Sequence, residues 1–109
     1  ADKFTDILWN YVDYLAETKK VEFSESFRIN LIMHIAGAVE RMLTNNPMET
    51  APEELAAVQD EVWFKLIQKA DDKYLRRIQI EMTPSEEFYV YKLLETWQEK
   101  NDTILSEVD

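Results

Sequence analysis

Glycine occurs once in the 109 residues, as Gly37, and proline three times, as Pro47, Pro52 and Pro84. A sheet protein needs turn-forming residues at every strand reversal, many of them glycines adopting positive φ. A chain this poor in breakers is confined to long elements with few connections. The apolar spacing says which elements these are. In "KFTDILWNYVDYLAET", Phe4, Ile7, Leu8, Tyr11, Val12 and Leu15 recur at three- and four-residue intervals, one stripe of an amphipathic helix. The fold class expected is all-α, a compact bundle of about five helices within a single domain spanning 1–109.

The rest of the chain follows the same period. "KKVEF" reads as a connection, after which Ser24 or Ser26 caps a helix running to about Leu43. "TNNPMETAPEE" is the one obvious loop. Within it Thr50 and Glu53 stand at capping-box spacing before the run "LAAVQDEVWFKLIQKA", whose apolar positions are Leu55, Val58, Val62, Phe64, Leu66 and Ile67. Asp71 is placed to cap a shorter helix, "DDKYLRRIQIEM", whose end around Ile78 and Ile80 alternates as an extended segment does. "TPSEEF" is a start signal, with Thr83 as N-cap, Pro84 at the first helical position and Glu86 completing a capping box. The last helix carries Phe88, Tyr91, Leu93 or Leu94, and Trp97, and the tail "NDTILSEVD" frays or continues it weakly.

Composition removes several function classes. The chain has no cysteine and one histidine, His34, so thiolate chemistry, disulfides and a protein-only transition-metal site are not expected, and no cofactor is implied. One glycine cannot build a phosphate-cradling loop or the strained elbow of a hydrolase nucleophile, and no enzyme is expected. Twenty-two acids against twelve bases give a net charge of −10, a field that repels phosphate backbones, so direct nucleic-acid contact is not expected. No apolar run reaches the ~20 residues that span a bilayer. The chain opens on Ala1 rather than Met, as a domain excised from a longer protein would.

The carboxylate pairs Glu53–Glu54, Asp60–Glu61 and Glu86–Glu87 read as solvated helix faces, since adjacent helical residues diverge by about 100° and acids at helix starts complement the macrodipole. Arg76 and Arg77 read as an ion-pairing spot, and the three Trp and five Tyr as core or interface residues.

The informative segment is "LIMHIAGAVERML". At helical spacing His34, Gly37, Ala38 and Arg41 fall on one face, which the two small residues leave shallow. An imidazole and a guanidinium bracketing a shallow patch can receive a phosphoryl group, because neutral imidazole is nucleophilic near pH 7 and arginine pairs with phosphate oxygens. The other reading is a half-buried histidine satisfied within a helix pair.

"RINLIMHIAGAVERML" resembles the first signature of the PTS regulation domain, a helical module of bacterial sugar-responsive regulators. The matching residues are His34, Ile35, Ala36, Gly37, Glu40 and Arg41. "LRRIQIEMTPSEEFYVYKLLE" resembles the second signature, and the likeness spans roughly residues 5 to 100. The pattern departs at Met33, where the family often has Asp, and at Leu94, where many members carry a second phosphorylatable His. The domain is then either a one-site variant or a copy with reduced regulation, and one-site copies are more similar to the C-terminal regulation domain of sigma-54-dependent activators than to the paired domains of antiterminators. The resemblance implies a cytoplasmic regulatory domain in which His34 accepts a phosphoryl group from HPr or a sugar-permease component, with Gly37, Glu40 and Arg41 as supporting motif residues. The many apolar and aromatic residues, together with related domains that dimerise, give a helix-mediated homodimer as the expectation, and the lack of a spanning apolar run gives no membrane contact. Outside the family, two readings stand: a structural helical interaction domain, or, less well matched because the acids are spread over every helix, an acidic protein that mimics a partner.

Overall fold

The first stripe becomes α1, Lys3–Lys19, in a computed structural model that describes residues 3–108. Leu8, Tyr11, Val12 and Leu15 are buried along it, and each large apolar side chain taken fully out of water contributes about 1.5–3 kcal/mol. Lys20 then takes a left-handed backbone conformation and turns the chain. α2, Glu25–Leu43, is capped by Ser24, whose Oγ accepts the Phe27 N–H at 3.2 Å, so of the two serines considered it is Ser24 that serves. Its far end closes at Asn45, left-handed at φ 56°, with the Asn46 N–H reaching back to the Arg41 carbonyl at 2.8 Å.

The run expected as one helix from residue 55 to 70 is two, α3 at Pro52–Val58 and α4 at Val62–Tyr74. The cause is phase. Val58 and Val62 would share one helical face, but Val62 is 55% exposed and the neighbouring Trp63 is buried instead. Burying Trp63 rotates the following stripe by one residue, about 100°, and one continuous helix cannot serve both stripes. Two caps also differ from expectation. α3 starts from Ala51 with no side-chain cap, because Thr50 is spent elsewhere: its N–H donates to Ser85 Oγ at 3.1 Å and its hydroxyl donates to the Ser85 carbonyl at 3.4 Å. Asp71 caps nothing; it lies inside α4, buried.

A 3₁₀ turn, Leu75–Ile78, follows α4, and left-handed Gln79 ends it. The segment 79–83 is non-helical, in keeping with the extended end expected there. α5, Pro84–Val108, starts as anticipated, with Thr83 Oγ1 accepting the Glu86 N–H at 3.2 Å. It runs on through the tail to Val108, exposing Ile104 and Leu105. Among the described residues there are five α-helices and no strand.

α1 packs on α2 and α4, while α5 packs on α2, α3 and α4. Between them lie Tyr11, Leu15, Leu31, Ile35, Ile67, Leu75 and Leu94, all sealed from solvent. One end is closed by aromatic rings: Trp97 meets Phe23 edge-on at 4.9 Å and stacks on Phe27 at 5.7 Å, and Trp63 joins them. Of the basic pair, Arg76 makes the expected ion pair, with Asp72 at 2.9 Å, while Arg77 instead lies over the Tyr74 ring. No described helix is long and apolar enough to cross a membrane.

Candidate functional site

α2 buries Leu31, Ile35, Ala38 and Val39 against the core. The face turned away from that stripe carries Asn30, Met33, His34, Gly37 and Arg41, and these five residues line a shallow cavity of about 270 Å³. The His34 side chain is exposed and makes no hydrogen bond or ion pair with any described residue. The reading of His34 as a satisfied, half-buried histidine therefore fails. Ala38, expected on the open face, points into the core instead, 1% exposed, since it continues the Leu31–Ile35 stripe at i+7 and i+3. Gly37 alone keeps the face shallow. Its backbone is ordinary helix, so the absence of a side chain rather than conformational freedom is what distinguishes it. A Cβ there would stand 3.5 Å from Arg41 Nη1, an ordinary contact that would occupy the space between the two residues.

Arg41 runs back along α2 toward Gly37, the direction helical side chains take. Its Nε and Nη2 donate to Glu86 Oε2 and Oε1 at 2.7 and 2.8 Å, a two-pronged, charge-assisted clamp. Glu86 Oε2 also accepts the Met48 N–H at 2.8 Å. Burial pushes the Glu86 carboxyl upward, but the hydrogen bonds from Arg41 and Met48 and the Arg41 charge outweigh it and hold the group below its usual range. The bond to Glu86 in turn raises the Arg41 guanidinium above its ordinary value. Nη1 has no hydrogen bond to a described residue and is the guanidinium nitrogen beside Gly37 at the cavity wall. The clamp fixes Arg41 in one rotamer and leaves one edge of its fork unspent. Glu40 is exposed, and its contribution is a nearby negative charge on Arg41.

Two expectations about Glu86 are corrected here. It does not complete a capping box, because its carboxylate is committed to Arg41 and Met48. Nor are Glu86 and Glu87 a solvated pair: they are 1% and 6% exposed. Leu94, the position that the resemblance aligned with a second histidine, is fully buried in the core. Among the described residues no cluster of three metal-ligating side chains occurs.

A family model for the PRD domain matches residues 9–97, from within α1 to about the middle of α5. No curated protein and no solved structure matches the chain.

Proposed function

The chain belongs to the PRD domain family, a family of regulatory rather than catalytic domains, and from that premise we propose that His34 is its phosphoacceptor. The observation that carries this is the cavity on α2, which the chain's one imidazole, exposed, lines together with a guanidinium held by Glu86. In the transfer a P–N bond to the imidazole forms as the donor's bond to the same phosphorus breaks. HPr or a sugar-permease component of the phosphotransferase system is the donor, and Arg41 Nη1 donates its N–H to the arriving phosphoryl oxygens. With Leu94 sealed, the domain is of the one-site kind, like the C-terminal domain of sigma-54-dependent activators, within a cytoplasmic transcriptional regulator whose nucleic-acid-binding parts lie elsewhere.

The phosphoryl group adds about two negative charges at neutral pH. Met33, 67% exposed and lining the same cavity, and Ile29 one turn earlier form an apolar strip next to His34. A homodimer formed through this strip places the new charge at its edge, and phosphorylation then shifts the dimer equilibrium.

The test uses the purified phosphotransfer chain and phosphoenolpyruvate. Acid-labile, base-stable label is expected on the wild type and none on His34→Ala. Equal labelling of His34→Ala refutes the assignment, as does a wild type that takes no label from any phosphotransferase donor.

A further inference from the structure

The core contains a second cluster of ionisable groups, built from α1, α4 and α5 and separate from the His34 face. Tyr11 donates its hydroxyl proton to Asp71 Oδ1 at 2.6 Å, across 60 residues of sequence. Asp71 and Glu87 are 5% and 6% exposed. The other Asp71 oxygen, Oδ2, is buried and receives no N–H or hydroxyl. The Glu87 carboxyl lies against Asp71, close enough for the two groups to share a hydrogen bond.

Two carboxylates cannot hydrogen-bond each other without a proton between them, because each ionised group only accepts. Nor does any described residue set a cation against the pair to hold two negative charges together. From α1 the pair faces Tyr11; from α4 it faces Gln68 and Asp72, the latter adding a further negative charge. Neither Asp71 nor Glu87 takes part in an ion pair among the described residues. A second uncompensated charge in this position costs several kcal/mol, and a group so placed neutralises itself instead. Of the two, Asp71 already receives the short Tyr11 bond, which favours its charged form, so the proton belongs on Glu87.

We propose that Glu87 stays protonated in the folded domain and donates its carboxyl proton to Asp71 Oδ2, so that the bundle folds with one bound proton as a structural part of its core. The proposal is independent of phosphorylation at His34. Its electrostatics agree: burial, then the hydrogen bond and charge of Asp71, push Glu87 up to about 10, while burial pushes Asp71 up despite its hydrogen bonds.

The consequence is a linkage between folding and pH. In the unfolded chain Glu87 ionises near its ordinary value of 4.5. A group whose folded pKa is raised contributes stability that is fully present below the unfolded pKa and is lost as pH rises toward the folded one. Between pH 7 and 9 Asp71 is already ionised, and Tyr11, raised by burial, has not begun to titrate. Over that interval folding takes up one proton at Glu87, and the folding constant falls about tenfold per pH unit.

The experiment is urea unfolding of the wild type and Glu87→Gln at pH 7, 8 and 9. The Gln amide supplies an N–H to Asp71 Oδ2 and does not titrate. The wild type is expected to lose about a hundredfold in folding constant from pH 7 to 9, and Glu87→Gln to stay nearly flat. Parallel pH slopes for the two proteins overturn the proposal. Infrared spectroscopy of the folded wild type in D₂O at pH 8 decides it even if the variant does not fold. A carbonyl band of a protonated carboxylic acid supports the bound proton, and its absence refutes it.

Discussion

Removing the guanidinium of Arg41 exposes how much of this fold hangs on one ion pair. In Arg41→Met the aliphatic stem is retained, while Glu86 loses two of its three hydrogen-bond donors and keeps only the Met48 N–H. Breaking a buried ion pair from one side costs about 3–5 kcal/mol, because the remaining charge is stranded. Here the Arg41 side chain is 34% exposed and that of Glu86 0%, so the arginine end is partly screened and the loss is discounted to about 2–3 kcal/mol at pH 7. Glu86→Gln removes the charge but leaves a carbonyl for Met48, and should cost about 1–2 kcal/mol. The double variant strands nothing, so its cost falls short of the sum of the singles by about 1–2 kcal/mol. Urea unfolding measures this as a drop of about 1 M in midpoint for Arg41→Met at unchanged slope, for a slope near 2 kcal/mol/M. The pH dependence carries a sign. In the wild type the Glu86 pKa is lowered, so its stability contribution is present above the unfolded value of 4.5 and is lost only as pH falls through the lower folded one. Without Arg41, burial dominates and raises the Glu86 pKa, so the deficit of Arg41→Met relative to wild type should shrink from pH 7 to pH 5. A cost under 0.5 kcal/mol, or additive single substitutions, would refute the clamp as the anchor between α2 and α5.

Gly37→Ala should stabilise the domain by about 0.5–1 kcal/mol, because alanine is the better helix former and its Cβ meets only an ordinary contact 3.5 Å from Arg41 Nη1. The same methyl narrows the cavity beside His34, so labelling should slow while thermal melting rises by a few degrees; a lower melting temperature would sink the idea that the glycine is there for space. Tyr11→Phe should cost about 1–3 kcal/mol in urea unfolding, since Asp71 Oδ1 loses its hydroxyl donor while Oδ2 already lacks one from outside the acid pair.

Helix content and the location of the His34 face were legible in the chain itself. A 3.6-residue period in a sequence with one glycine and three prolines leaves no other regular structure, and the spacing of His34, Gly37 and Arg41 alone sets them on one side of α2. Some of what was misread was also written there. Glu87 stands at i−4 and i−7 from Tyr91 and Leu94, and Asp71 at i+4 from Ile67, both on buried stripes. Charge made Glu87 look solvated and Asp71 look like a helix cap, because an isolated carboxylate does not enter a core. What rescues each is a partner 16 to 60 residues away: Asp71 for Glu87, Tyr11 for Asp71 and, at the residue next to Glu87, Arg41 for Glu86. The break between α3 and α4 has the same origin, since Trp63 rather than Val62 turns inward only where Phe23 and Trp97 wait to receive it. A sequence fixes which faces a helix can present, through backbone geometry that is local. Whether a charged or aromatic residue on such a face is buried depends on the free energy of meeting a complementary group from another helix, and that meeting exists only once the bundle has assembled.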